Sequence, residues 1–296
     1  WQIILLPVKK TGFWSAFHPV MIGFMMSSVF PGRVGEIARP AVFYKKENVE
    51  FSKVLATAGI DRIFDAAALL SFFIYILAVV PIDPSLDITF ASYHLTPALL
   101  DGLWKATLKF SLVLVVVTLL ISFSSTRSVF NRIILKTPDM MFFAQQPFRE
   151  KLRAGLCTKI TCLLDNFAVG FDILKSPLNL VLCLLLSFAL WAMLGLALYL
   201  LTFGFPGVQI SFLQAFAVEL IICFFIMLPS VPGYWGLWEA GGVFGLMIFG
   251  IPATEAAGLT LAYHFFHMVP VIIVGIGSAM IIGVKLVRTI PQETRG

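Results

Sequence analysis

Charge is what this chain has least of. Asp, Glu, Lys and Arg make up 12% of its 296 residues, about half the share of a soluble domain, roughly 25%. Hydrophobic residues fill 59% of the chain, and the mean hydropathy is +0.95. So little polar surface excludes a globular domain in water. Cysteine is scarce as well. Cys157, Cys162, Cys183 and Cys223 stand in or beside apolar stretches without metal-ligand spacing and read as small core residues. A Gly-x-Ser-x-Gly elbow, a phosphate-cradling P-loop and a dinucleotide fingerprint are all missing. So is a basic-aromatic surface of the kind that binds nucleic acid. Nothing therefore nominates a catalytic residue, a metal or a cofactor, and the balance favours a transporter over an enzyme.

What the chain does have is long apolar runs, continuous rather than alternating, which predicts membrane helices and not a barrel. A span needs about 20 such residues, and 64–80, 104–123, 178–203 and 256–284 qualify, the last with Pro270 as a kink. Lys and Arg gather in 31–63 and 124–177, whereas 82–103 and 204–210 hold none. By the positive-inside rule the first pair is cytoplasmic and the second external, and Lys285 with Arg288 puts the C-terminus in the cytoplasm. The chain opens at Trp1 inside an apolar run with no starting Met, which predicts a further segment upstream.

Two turns nearly copy one another. Residues 30–40 read FPGRVGEIARP and residues 231–239 read VPGYWGLWE. Pro31, Gly32 and Gly35 map onto Pro232, Gly233 and Gly236 at the same offsets, and each motif carries an acid, Glu36 or Glu239. Basic residues flank 12–30 on both sides, so a simple crossing would strand one cluster outside. A segment that enters over 12–30, turns at Pro31 and Gly32 and returns through 37–44 avoids this. Segment 211–230 would do the same from the other leaflet, returning through 234–250. The expected fold is all-α: a polytopic transmembrane bundle of two inverted repeats with re-entrant, broken helices. It forms a single transmembrane domain over 1–296, with halves at about 1–123 and 178–290. Between them, about 149–175 has an apolar stripe with interleaved basic residues, suited to an interfacial helix on anionic lipid or to the protein's own spans.

An ionised group at the bilayer centre costs about 2.5–3.5 kcal/mol on insertion scales, so such groups line a cavity or pair. Glu36 and Arg39 share a helix face, and Arg62 and Asp65 repeat that spacing with Asp61 alongside. Glu36 paired with Arg62 would leave Arg33 or Arg39 for an anionic headgroup, since guanidinium forks match phosphate. The plain alternative is that these charges satisfy one another at the interface. Glu219 and Glu239 are candidates for a cationic group or a proton, or else cap broken helices. His264 and His267 share a face but lack partners for a metal set, so they pack helices or line a pathway, and His18 reads likewise.

At these residues the chain resembles the lysylphosphatidylglycerol synthase/flippase transmembrane-domain family. That family includes the membrane half of the multiple peptide resistance factor and its stand-alone relatives. The resemblance rests on FPGRVGEIARP, on Ala-x-Ala with Asp-Arg-x-x-Asp over 56–65, on LPSVPGYWGLWE at 228–239 and on 256–258 before the last span. It implies a flippase-like domain of the cytoplasmic membrane that moves or presents a modified phospholipid, or a polyprenyl- or hopanoid-type amphiphile. A lipid-modifying synthase or transferase is an implied partner, and a homodimer stays open. Substrate contacts are implied for Arg33, Glu36, Arg39, Arg62, Asp65 and Glu239, with Glu219 and His264 added from the residues themselves. Asp61 stands where relatives more often have Glu, and His264 near an expected permanent charge. The rival implication is a lipid-presenting module or part of a membrane glycosyl- or aminoacyl-transferase.

Overall fold

The computed structural model describes residues 1–80, 88–90, 93–95, 105, 109, 124–140, 145–158, 160–161, 176–227 and 231–283. The expected span at 104–123 (apart from 105 and 109), most of the loop 82–103, residues 162–175 of the amphipathic stretch, Lys285 and Arg288 lie outside them. Among the described residues the regular elements are helices, except for one short pair of strands, β1 (Ile88–Phe90) and β2 (Tyr93–Leu95). The helices are α1 (Gln2–Leu5), α2 (Phe13–Val29), α3 (Gly35–Glu47) and α4 (Phe51–Val79), then α5 (Ser124–Met140) and α6 (Gln146–Leu152). A π-helical turn at Arg153–Cys157 follows, then α7 (Pro177–Thr202), α8 (Phe212–Ile226), a 3-10 turn at Pro232–Tyr234, α9 (Leu237–Ile248) and α10 (Ala253–Ile282).

Length sorts these helices into two kinds. α4, α7 and α10 have 29, 26 and 30 residues and are apolar enough to cross a membrane, and at 1.5 Å per residue each exceeds the roughly 30 Å hydrocarbon core. α2, α3, α8 and α9 have 17, 13, 15 and 12 residues, all short of the roughly 20 a crossing needs. Element order therefore repeats: two short helices joined by a Pro-Gly turn, then one long helix. The expected span boundaries at 178–203 and 256–284 agree closely with α7 and α10. α4 starts at Phe51, well before the expected 64: its more polar first part buries Val54, Ala56 and Ile60 and carries i,i+3 pairs, Lys53 with Glu50 and Arg62 with Asp65, each at 3.0 Å.

The chain forms two compact units that do not follow chain order. The first holds Trp1–Lys10, Glu50–Pro81 and Leu95–Trp191. Within it, Ile4, Ile60, Phe64 and Cys183 make a buried cluster joining α1, α4 and α7, and Phe72 meets Phe188 edge-on with centroids 5.1 Å apart. Arg153 pairs with Asp139 and donates to the Leu135 carbonyl at 3.2 Å, tying the π-helical turn to α5.

The second unit holds Thr11–Val49, Ile82–His94 and Ala192–Gly296, so the first hairpin (α2–α3) shares a unit with the second (α8–α9) and with α10. Here α10 is the spine. His18 bonds Ser278 at 3.1 Å, and Met21 and Met25 close on Gly275, so α2 runs antiparallel along the C-terminal half of α10. Gly242 lies against Thr260, and Trp238 meets Tyr263 and His264, so α9 runs antiparallel along the N-terminal half. Ser211 opens α8 with a reciprocal cap: its hydroxyl accepts from Gln214 N at 3.3 Å, and Gln214 Oε1 accepts from Ser211 N at 2.8 Å. Asn48 (φ 52°) and Gly283 (φ 71°) end α3 and α10 in left-handed conformation.

Missing side chains set how closely these helices approach. Gly35 of α3 rests on the Gly23 carbonyl of α2, where no Cβ fits, and a Cβ on Gly275 would sit 2.8 Å from the Met21 carbonyl oxygen. Overfilling such a contact costs about 1–3 kcal/mol. Gly275→Leu is therefore expected to lower the apparent Tm of the purified protein in detergent. Gly277→Leu, at a position with open space, should leave Tm nearly unchanged. Equal effects would count against the α2–α10 contact.

Candidate functional site

Both Pro-Gly turns adopt the same unusual backbone. Gly32 (φ 76°) is followed by Arg33 at φ 54°, and Gly233 (φ 69°) by Tyr234 at φ 60°. Left-handed conformation costs a non-glycine residue roughly 1–2 kcal/mol, so each turn holds strain at the equivalent residue. The turns also touch. A Cβ on Gly233 would lie 3.1 Å from the Ser28 carbonyl oxygen and 3.0 Å from Met268 Sδ. Met268 is halfway along α10, so the two hairpin tips meet beside the middle of that 30-residue helix.

Charge closes the broken ends at this junction. The Arg33 guanidinium donates to the carbonyl of Ile226, the last residue of α8, at 2.8 Å, which places a cation at the negative end of that helix. Its carbon also stands 5.9 Å from the centre of the Tyr234 ring, within cation–π range. Across the break, Glu239 Oε2 accepts from the Gly236 N–H at 2.7 Å, putting an acid at the N-terminus of α9. The other oxygen of Glu239 accepts from His264 Nδ1 at 2.6 Å. Trp238 stacks on the His264 ring at 4.7 Å and 10°, and Trp235 tilts against it at 4.6 Å. His264 is held in a buried aromatic slot with one face of its chemistry turned to Glu239.

Of the sequence-predicted residues, the fold brings Arg33, Glu239 and His264 to the tip junction. Glu36 is half-buried in the first turn of α3, and Arg39 is buried one turn further on, against Gly23 of α2. Glu219 is buried on α8, where its carboxyl meets the Tyr263 hydroxyl at 2.9 Å. Arg62 and Asp65 belong to the other unit, where Arg62 pairs with Asp65 at 3.0 Å and Asp61 at 3.3 Å and Ser187 donates to Asp65 at 3.3 Å. His18, bonded to Ser278, behaves as a helix-joining histidine. Cys157, Cys183 and Cys223 are buried free thiols, and Cys162 lies outside the described residues.

Sequence reasoning missed Tyr263, Ser278 and the capping role of Arg33. The signal for Ser278 was present. Thr260, His264, His267 and Ser278 recur at helical spacing along one face of α10, a polar line in an apolar span. Arg33 as a cap had no local signal, because its acceptor is 193 positions away.

Three long apolar helices, together with short helices broken at matched Pro-Gly turns, define a multi-pass helical membrane protein. The family model described as the lysylphosphatidylglycerol synthase TM region matches residues 1–275, and the chain belongs to that family, whose function concerns membrane lipid. No curated protein and no solved structure matches the chain.

Gly32 and Gly233 hold the equivalent left-handed positions of the two turns, but only Gly233 is also crowded by the other tip. Gly32→Ala should cost the strain alone, roughly 1–2 kcal/mol. Gly233→Ala should cost strain plus displacement of Ser28 or Met268 and unfold at the lower temperature. A reversed ranking in thermal denaturation would contradict the tip contact.

Proposed function

We propose that this protein is a lipid translocator whose headgroup path runs through the junction of the two hairpin tips. The observation that carries the reading is the meeting of two charge-bearing breaks halfway along a helix long enough to span the bilayer. In this reading α10 crosses the membrane and its midpoint lies near the midplane. The hairpins then enter from opposite leaflets as inverted, re-entrant repeats, and the C-terminus is cytoplasmic. Irregular backbone at that depth is tolerated only against protein or a wet cavity, and discontinuous helices with polar ends near midplane are how many transporters hold substrate.

Arg33 supplies the phosphate-directed group. It is exposed at the tip, and its guanidinium already satisfies a carbonyl that a competing anion would release. Glu36 and Arg39 extend the polar surface along α3. Glu239 with His264 offers an acid for a cationic part of a modified headgroup. Arg62 and Asp65 form a second candidate cluster in the first unit. The tails stay in lipid, and parting of the tips moves the headgroup past them.

A second reading draws on the family description, which names the membrane region of a synthase: the protein presents lipid to a modifying synthase or transferase. Proteoliposomes containing the purified chain and a fluorescent phospholipid separate the two. Translocation is expected for the isolated protein. Arg33→Ala should reduce it roughly ten-fold, the effect of losing one charge-assisted hydrogen bond of about 1.5 kcal/mol. Product formation with an added transferase, without movement by the chain alone, would favour presentation.

A further inference from the structure

Glu219 is the most deeply buried acid among the described residues, at 2% exposure. Its carboxyl meets two groups, the Tyr263 hydroxyl at 2.9 Å and the Cys223 thiol at 3.9 Å, and both are neutral. Among the described residues no Lys, Arg or His pairs with it. The nearby charged and titratable groups among the described residues have other contacts. Arg33 lies about two turns along α8 on the Ile226 carbonyl, Glu239 of α9 holds His264, and His267 rests on Trp238. The rest of its surroundings, including Val218, Leu220 and Ile222, are apolar and buried.

An ionised carboxylate left without a cation in such a place costs several kcal/mol, and a group so placed neutralises instead. Hydrogen-bond accounting favours the same form. Tyr263 has one proton, and its oxygen also lies 3.3 Å from the Leu194 carbonyl of α7. If Glu219 carries a proton, it donates to Tyr263 and Tyr263 donates on to Leu194, so every group is served. If Glu219 is ionised, the one Tyr263 proton must serve two acceptors.

We propose that Glu219 is a proton-binding site, occupied while α8 lies against α10 and emptied to water when the second hairpin parts from that helix. The carboxyl O–H breaks, the proton passes to water, and the carboxylate is hydrated; closure reverses the step. Because the closed form holds one more proton than the open form, acid favours closure and alkali favours opening. Resting on the translocator reading, this couples lipid movement to a proton gradient.

Infrared difference spectra of the purified full chain test the site without reference to transport. The carbonyl stretch of a protonated carboxylic acid is expected in the wild type at neutral pH and should vanish in the isosteric Glu219→Gln. In Tyr263→Phe the band should persist but move, because its acceptor is gone, a change that a purely structural role would not produce. A wild-type spectrum without that band, or one unchanged in Glu219→Gln, overturns the proposal. In proteoliposomes a pH gradient should change the rate of fluorescent-lipid movement by roughly five-fold or more, the low end of typical coupling, and Glu219→Gln should abolish that response. A Glu219→Gln variant that keeps the full response also overturns the coupling. If the wild type moves no lipid at any pH, the translocator reading fails, while the infrared band still decides whether Glu219 binds a proton.

Discussion

A helix that stops leaves carbonyls at one end and N–H groups at the other, and in an apolar interior those groups need partners from the protein. The second unit is organised around that constraint. The break after α8 is closed by Arg33, brought from the other hairpin, and the start of α9 is closed by Glu239 of its own hairpin. In the proposed translocator, the charges offered to a lipid headgroup are the same charges that hold the broken ends. A ligand competing for Arg33 or Glu239 releases a helix terminus, which gives binding a direct mechanical consequence. Glu239 transmits it further, since its second oxygen holds His264 on α10.

The internal repeat is deeper in the backbone than in the side chains. Gly32–Arg33 and Gly233–Tyr234 share successive left-handed conformations, yet one pair presents a cation and the other an aromatic ring. Those two equivalent residues then face each other across the junction. Glycine serves it twice, allowing the turn and removing the Cβ where Gly233 meets Ser28 and Met268.

Much of this was legible in one dimension. Hydropathy located α7 and α10 nearly to the residue, because a continuous apolar run has one stable solution in a bilayer. Pro-Gly-x-x-Gly located both breaks, because proline and glycine act on the backbone locally. The start of α4 was less legible: its first part carries Lys53, Asp61, Arg62 and Asp65, which lower the hydropathy, while Lys53 pairs with Glu50, Arg62 pairs with Asp65, and Val54, Ala56 and Ile60 are buried. Among the site residues, Arg33, Glu239 and His264 were each conspicuous as polarity in an apolar context, but their partners were not.

From sequence alone came the membrane class, the matched breaks and the identity of the charges placed in them, all consequences of composition and short-range stereochemistry. Tertiary structure alone decided that the first hairpin joins the last long helix, that Arg33 caps a helix from 193 positions away, and that Glu219 faces Tyr263 rather than a cation. The physical reason is that these helices are apolar nearly all round. With no contrasting polar face, a membrane helix does not announce which side meets which neighbour; small residues and a few hydrogen bonds choose it, and their partners are distant in the chain.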